Sequence, residues 1–309
     1  MSTGTSTSAG VGTAVQPAVA VRPRRRIRWQ RVALHAFLIT MALVWLFPLA
    51  WVTYTAFRPI SDTIVNGYVS FPQTLSLDNF ISAWTEADLP RFFLNTIIIV
   101  IPAMFFILWI SSMLGFVFSR FSFKLNILLL IMFTAGNLLP PQIIIVPLLR
   151  LYLLLPVPPP LSDNGLLYNQ YFGIALIHIV FQTGFCTFVL SNYMKTISKE
   201  LTEAALVDGA SIWMIYRRVI LPLCRPALAA LATLEFTFMY NDFFWALFLM
   251  KDGDRRPITS ALNNLQGAFF TDQNQLAAAS LLVAVPTIVV YLVLSKQFVR
   301  GLALGSTKG

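Results

Sequence analysis

The stretch EAALVDGASIWMIYRRVILPLCRP, residues 203–226, is a polar segment with its own structural signals, set between two hydrophobic runs of membrane-spanning length. Ser198 is placed to cap a first short helix, and Gly209 can adopt the left-handed conformation that ends it. Ser211 is placed to cap a second helix, which Pro222 is expected to stop. The apolar residues that recur on one side of the second helix are Ile212, Trp213, Ile215, Tyr216, Val219 and Ile220. The sequence predicts a bent, surface-lying helical hairpin.

The composition around this hairpin is that of an integral membrane protein. Apolar residues make up 57% of the 309 residues and charged residues 11%, too little polar material to coat a soluble globule of this size. A hydrocarbon layer of ~30 Å needs about 20 residues at 1.5 Å each. Six segments are long enough, so we expect an all-α fold with six transmembrane helices. The predicted spans are 32–57, 92–118, 125–149, 167–193, 226–250 and 276–298.

Basic residues predict how the spans are oriented. The two termini, the connection 119–124 and the segment 195–225 together carry sixteen lysines and arginines, whereas the other connections carry six. Short loops rich in Lys and Arg stay in the cytoplasm. The sequence therefore predicts a bacterial cell-membrane protein with both termini and residues 195–225 in the cytoplasm. The net charge of +9 is then a topology signal, and we expect no nucleic-acid partner.

Residues 1–28 are rich in Ser, Thr, Gly and Ala and end in a run of arginines, without helical or strand periodicity. They are predicted to form a disordered basic cytoplasmic tail, and residues 29–309 a single six-helix domain. A signal peptide is the alternative, but the apolar run that follows is too long and lacks a clear cleavage site. The two cysteines, Cys186 and Cys224, are too far apart in the predicted topology to form a disulfide or metal site.

No catalytic signature is found in the chain. Phosphate-binding loops, H-E-x-x-H and G-x-S-x-G are missing, and the two histidines, His35 and His178, lie in separate spans. We therefore expect a non-enzymatic subunit without a cofactor or metal of its own. If its work requires ATP and Mg²⁺, another chain must bind them.

Several motifs resemble the permease subunits of bacterial binding-protein-dependent ABC importers, in the carbohydrate branch typified by the maltose permease MalG. The EAA motif of that family is matched by E-A-A-x-x-D-G-A followed by I-L-P-L, and its residues here are Glu203, Ala204, Ala205, Asp208, Gly209, Leu221 and Pro222. SLDNF (76–80), LNT (94–96), YNDFFWAL (240–247) and FVRGLALGSTKG (298–309) also resemble segments of this branch and occur in the family's order. We refer to residues 195–225 as the EAA loop.

The resemblance implies a MalG-like (type I) permease fold and a set of partners. These are a second, MalF-like permease subunit, two copies of a cytoplasmic ABC ATPase, and an extracytoplasmic solute-binding protein. In such permeases the EAA helices dock in a cleft of the ATPase and transmit its closure to the spans as a rigid-body movement. The alternative interpretation of the EAA loop is an ordinary cytoplasmic connection with an interfacial amphipathic helix.

The resemblance also implies two further contact regions. Gly305, Lys308 and Gly309 match the tail that reaches between the ATPase subunits, although Ser306 and Thr307 depart from the family pattern; a frayed terminus is the alternative. Residues 251–275 match a loop that reaches into the binding protein, and a mere surface connection is the alternative. The predicted tip of that loop consists of Gln266, Gly267, Ala268 and Phe269.

Polar residues within the spans are candidates for the transport path, because ionised groups there are costly and face protein or water. Glu235 and Asp242 are seven residues apart, which predicts one helix face, and Asn137 precedes a Pro140-Pro141 break in the third span. Asn241, Tyr240 and Trp245 add hydrogen-bonding and flat apolar surfaces that suit sugar rings. Packing or interface roles remain equally open for these residues.

Three functions are compared. The first is an importer permease for a sugar or oligosaccharide, with polyols and glycerol phosphates as alternative solutes. The second is a stand-alone secondary transporter with Glu235 and Asp242 as ion sites, which predicts inverted repeats that the sequence does not display. The third, a membrane scaffold, leaves the EAA motif unexplained.

Overall fold

The computed structural model describes residues 29–265 and 271–306, and within these ranges the chain is helical and contains no β-strand. The helices are, in chain order, α1 (Trp29–Ala56), α2 (Ile60–Asn66), α3 (Asp78–Thr85), α4 (Leu89–Arg120), α5 (Asn126–Ala135), α6 (Pro141–Leu154), α7 (Tyr171–Thr196), α8 (Lys199–Val207), α9 (Ile212–Met214), α10 (Leu221–Leu223), α11 (Arg225–Tyr240), α12 (Phe244–Leu249), α13 (Ile258–Ala261) and α14 (Gln273–Ser306). Helices α1, α4, α7 and α14 are each long and apolar enough to cross a membrane. They confirm the first, second, fourth and sixth predicted spans, and α14 continues to Ser306, past the predicted end at 298.

The third span is broken. The helical segment Asn126–Leu138 meets α6 at an angle of 97°. Leu139 and Pro140, each followed by a proline, have extended ψ angles of 126° and 128°. The helical region is disfavoured for a residue before proline, and proline donates no backbone hydrogen bond, so two successive prolines favour the end of one helix and the start of the next. The break predicted at Pro140-Pro141 is confirmed, although the straight span 125–149 is not.

The fifth span also differs from the predicted continuous run 226–250. Helix α11 ends at Tyr240, and α12 begins only at Phe244. The Asp242 carboxylate accepts hydrogen bonds from the backbone N–H groups of Trp245 (3.2 Å) and Ala246 (3.3 Å). Aspartate competes in this way with the helical hydrogen bonds and favours the start of a new helix. The prediction of one uninterrupted helix was therefore wrong.

Close packing of α4 against α7 forms the centre of the core. Where Gly115 of α4 meets α7, an added Cβ would lie 3.0 Å from the Leu190 Cβ. Gly184 of α7 approaches the Phe133 backbone still more closely, because an added Cβ would lie 2.2 Å from the Phe133 carbonyl oxygen. Small residues allow helices in a membrane to approach to backbone contact. These glycines fix the distance between the second, third and fourth spans.

On the side of the spans that carries α2 and α3, a buried arginine links several elements. The Arg58 guanidinium is 1% exposed and donates to Asp62 Oδ2 (2.6 Å), the Gly67 carbonyl (2.8 Å) and Ser70 Oγ (2.6 Å). The backbone carbonyl of Arg58 accepts a hydrogen bond from Asn274 Nδ2 of α14 at 2.7 Å. This network ties the region after α1 to the start of α14.

The internal contacts divide the chain into two units, residues 1–49 and 50–309, at a boundary within α1. In the first unit the described residues, 29–49, form uninterrupted helix, in which the Thr40 hydroxyl donates to the Ala36 carbonyl at 2.9 Å. The second unit contains the buried core of α4, α7, the EAA loop, α11 and α12. The predicted tail, residues 1–28, lies outside the described residues.

Candidate functional site

The first half of the EAA loop folds as its local signals predict. Ser198 Oγ accepts from the Glu200 backbone N–H at 3.1 Å and caps α8, and Gly209 has a positive φ of 78°. Ser211 Oγ accepts from the Met214 N–H at 3.3 Å and caps the following helix. Because both caps and the left-handed glycine lie where they are needed, the bend between the two short helices is encoded locally.

The second half of the loop departs from the predicted simple helix. After α9, residues Ile215–Ile220 form a π-helix, and helical structure continues through Pro222 to Leu223 before a bend of 71° leads into α11. The helix therefore ends at Leu223, one residue after Pro222, which agrees with the predicted stop to within a residue. A π-helix this long within a short connection is rare and is frequent at functional sites.

The π-helix is held firmly against α4. Ile215, Tyr216 and Ile220 are buried, and the Tyr216 hydroxyl lies 2.7 Å from Ser112 Oγ. Since the Ser112 hydroxyl donates its one hydrogen to the Trp109 carbonyl (2.8 Å), Tyr216 is the donor in this pair. The EAA loop is therefore joined to a membrane span by a directed, buried hydrogen bond. Sequence reasoning missed Ser112, because its role depends on a contact with a residue 104 positions away.

In contrast, α8 contributes no buried residue and presents most of the EAA motif to its surroundings. Glu203, Ala204, Asp208 and Gly209 are exposed, Ala205 is half-buried, and Leu221 and Pro222 are half-buried at the base of the hairpin. Three large apolar side chains of α8 are also exposed: Leu201, Leu206 and Val207, the last of which is 88% exposed. Apolar side chains presented next to a carboxylate form a surface suited to a protein partner.

Glu235 lies in the middle of the packed helices. Its side chain is fully buried, and Oε1 accepts from the Cys186 thiol of α7 at 3.1 Å. Its second oxygen has no hydrogen-bond partner among the described residues. Glu235 therefore contacts α7 and is not exposed on any surface of this chain.

Asp242 and His178 come together where α11 ends. His178 Nε2 lies 3.5 Å from Asp242 Oδ2, and both side chains are buried. The predicted common helix face for Glu235 and Asp242 does not exist, because α11 ends two residues before Asp242. The carboxylate instead caps α12 and faces His178.

The remaining path candidates divide into buried and exposed residues. Tyr240 is buried and donates to the Val283 carbonyl of α14 at 2.8 Å, and Trp245 is buried with its ring 5.5 Å from that of Phe181. Asn137 donates to the Phe181 carbonyl at 2.8 Å and so ties the broken third span to α7. Asn241 alone is exposed, and its amide donates to its own helix. Most of these polar groups therefore have structural partners within the chain.

Two predicted contact regions lie wholly or partly outside the described residues. Gly305 lies in the last turn of α14, whereas Lys308 and Gly309 lie outside the described residues. The predicted loop tip, residues 266–269, also lies outside them.

Comparison with known proteins identifies the family. The sequence profile of the "Binding-protein-dependent transport system inner membrane component" matches residues 107–303, which include the EAA loop and the region of α11 and α12. The "Probable ABC transporter permease protein YurM" of Bacillus subtilis (strain 168) is 31% identical over 288 residues, covering 93% of this chain and 92% of the relative. The "Diacetylchitobiose uptake system permease protein NgcG" of Streptomyces coelicolor is 29% identical over 274 residues, 88% of this chain and 87% of the relative.

A solved structure matches the fold. One chain of a bacterial ABC transporter involved in the import of the acidic polysaccharide alginate superimposes with a TM-score of 0.70, covering 88% of this chain and 99% of that chain. The two sequences are 20% identical, so this likeness supports the fold alone. The profile match and the relatives go further: this chain belongs to the family of binding-protein-dependent transport system inner membrane components.

Proposed function

We propose that this chain is one permease subunit of an ATP-driven importer of a sugar or oligosaccharide, and that it forms half of the translocation path. A second permease subunit supplies the other half. Two copies of an ABC ATPase bind ATP and Mg²⁺ and drive the cycle, and an extracytoplasmic solute-binding protein delivers the solute. The chain itself performs no catalysis and needs no cofactor.

The exposed surface of α8 carries this proposal. It presents Glu203 and Ala204 together with Val207 on a helix that has no buried residue of its own, while the next helical turn is fastened to α4 through Tyr216. Small residues let a partner approach closely, the carboxylate offers a charge for a basic group, and the apolar side chains gain from burial. A push on α8 would thus reach a membrane span through the π-helix.

Orientation follows from charge. The sixteen basic residues on the EAA side place that side in the cytoplasm with both termini, where an ATPase has access to it. We extend the proposal to Gly305, Lys308 and Gly309 as a second ATPase contact, and to residues 266–269 as a contact with the binding protein, on the resemblance of those segments to the family.

The solute class rests on the relatives. NgcG is named for the uptake of diacetylchitobiose, which is a saccharide. Of the path candidates, Asn241 is exposed at the break between α11 and α12, and its exposure supports it as the residue that contacts the solute. Glu235 and Asp242 instead support the helices around it.

A charge substitution on α8 tests the coupling. Val207→Glu places a carboxylate in the proposed ATPase contact without disturbing any packing of this chain, because Val207 is 88% exposed. Val207→Ile is the matched control, since it keeps the surface apolar. When the chain is co-expressed with its transporter partners, we expect Val207→Glu to lose ATPase co-purification and ATP-dependent uptake of labelled oligosaccharide, and Val207→Ile to keep both.

Two results would contradict the proposal. Uptake that persists without any ATPase, or that follows an ion gradient, would favour a secondary transporter. Unchanged ATPase binding in Val207→Glu would mean that α8 is an ordinary connection. If the wild-type chain binds the ATPase but takes up a polyol or a glycerol phosphate and no oligosaccharide, the coupling role stands and only the solute changes.

A further inference from the structure

The end of α2 and the connection that follows it carry an unusually apolar exposed surface. We call residues 64–71 the interface loop. Among them Phe71 is 92% exposed, Val69 84% and Val65 80%. Over residues 59–77 the sequence contains a single charged side chain, Asp62, and that carboxylate is paired with Arg58 at 2.6 Å. The exposed part of the connection therefore offers apolar side chains and no free charge, which is unusual for a loop in water.

The interface loop does not extend away from the spans but folds back along them. The Tyr54 hydroxyl of α1 donates to the Ser70 carbonyl. Tyr68 lines a cleft of about 380 Å³ together with Trp51 of α1 and with Leu276 and Ser280 of α14. Trp51 lies five residues before the end of α1, about 7 Å along the helix, and Ser280 lies about 10 Å beyond the start of α14. The loop therefore lies level with the last turns of α1 and the first turns of α14.

Backbone that enters the edge of a membrane must have its polar groups satisfied internally, because lipid offers no hydrogen bonds. The turn of the interface loop meets this requirement at Gly67 and at the Ser70 carbonyl, which accepts from Tyr54. The Gly67 carbonyl accepts from Arg58 Nη1 (2.8 Å) and Ser70 Oγ (3.0 Å), and the Gly67 N–H donates to the Thr63 carbonyl at 2.9 Å. Arg58 thus neutralises the one carboxylate and caps the carbonyls of the turn, which leaves apolar side chains on the outside.

We propose that the interface loop is a membrane anchor, inserted into the boundary between headgroups and acyl chains of the leaflet on the α2–α3 side. Its occupant is lipid. Residues 65, 69 and 71 enter the acyl edge, and the Tyr68 ring lies at the headgroup level where aromatic side chains are favoured. A binding protein that must dissociate in every cycle would call for a polar rim, which this surface lacks. The anchor would hold the outer end of α1 against α14 while other spans move.

Spin labels can test the position of the loop directly. Phe71→Cys and Val69→Cys are labelled in the full chain, together with its transporter partners, in vesicles of phosphatidylethanolamine and phosphatidylglycerol. Both side chains are highly exposed, so the substitutions disturb little packing, and the native Cys186 and Cys224 are fully buried and should not label. Asp163→Cys is the water-exposed control, because its side chain is 68% exposed on the same side of the spans.

The expected result is a collision rate with molecular oxygen several-fold above that with a water-soluble nickel complex at positions 69 and 71, and the reverse at 163. Collision with the nickel complex at 71 equal to that at 163 would place the loop in water and overturn the proposal. Exclusion of both reagents would mean that a protein partner covers the loop, which also overturns it. Neither outcome depends on ATPase coupling, so this test and that of α8 can fail separately.

Discussion

A double-mutant cycle at Tyr216 and Ser112 tests whether the EAA loop is braced against α4 by a hydrogen bond. The Tyr216 hydroxyl donates to Ser112 Oγ at 2.7 Å in a buried site, while the Ser112 hydroxyl donates to the Trp109 carbonyl. Tyr216→Phe removes the donor but leaves the Ser112 hydroxyl its carbonyl partner. We therefore expect it to cost only the net value of one hydrogen bond, about 0.5–1.5 kcal/mol.

Ser112→Ala is expected to be more costly, because it leaves the Tyr216 hydroxyl buried and without an acceptor. An unsatisfied buried hydroxyl costs about 1–3 kcal/mol. In the double variant that hydroxyl is absent, so the two costs should not add, and the cycle should give a coupling free energy of about 1 kcal/mol. We expect the wild type to be the most stable, Tyr216→Phe the next and Ser112→Ala the least stable. The double variant should be as stable as Ser112→Ala or more stable than it.

Thermal unfolding of the purified chain in lipid nanodiscs measures these differences. One kcal/mol corresponds to a shift in Tm of at most about 2–4 °C, so replicate scans of all four proteins are needed. Additive losses in Tm, or a loss for Tyr216→Phe equal to that for Ser112→Ala, would refute the donor assignment. ATP hydrolysis and solute uptake of the same four proteins then report whether the brace transmits movement, since a weakened brace should lower uptake per ATP before it lowers hydrolysis.

Three further predictions concern single sites, all measured by Tm. Gly184→Ala forces a Cβ to 2.2 Å from a backbone carbonyl oxygen and should cost about 1–3 kcal/mol or prevent folding, whereas Gly136→Ala, with open space around it, should be neutral. Asp242→Ala should lose about 1 kcal/mol more than Asp242→Asn, because asparagine still caps α12; equal losses would exclude a capping role. The hydrogen bond from Arg58 lowers the pKa of Asp62, so its stabilisation is complete above the ordinary value of about 3.9 and is lost as the pH falls through the lowered pKa. Below pH 4 the wild type should lose stability that Asp62→Asn does not lose.

The long spans were predictable because burial in lipid leaves a continuous apolar run that few other folds produce. The caps of the EAA loop were predictable too, since Ser198, Gly209 and Ser211 act within three residues of their own position. The break in the third span was visible in Pro140-Pro141. Each of these features depends on local chemistry, which a single sequence contains in full.

The features that were missed depend on partners far along the chain. The π-helix at Ile215–Ile220 places Tyr216 on Ser112, and nothing in IYRRVI itself requires that geometry. The break after Tyr240 had a local sign in Asn241-Asp242, since both residues favour helix ends, but the surrounding aromatic residues concealed it. The Arg58 network had only the spacing to Asp62 as a sign, while its carbonyl partner Asn274 lies 216 residues away.

The stiffness of the contacts suggests how a movement of α8 would pass into the membrane. Tyr216 fastens the π-helix to α4, and Gly115 and Gly184 bring α4, α7 and the end of α5 into contacts that leave no room for an added methyl group. These elements should therefore move together as one body. Within the third and fifth spans, hydrogen-bonded helix is interrupted at residues 139–140 and 241–243, and we expect the spans to yield there. The second interruption carries Asn241, so one of these two compliant points also presents an exposed amide.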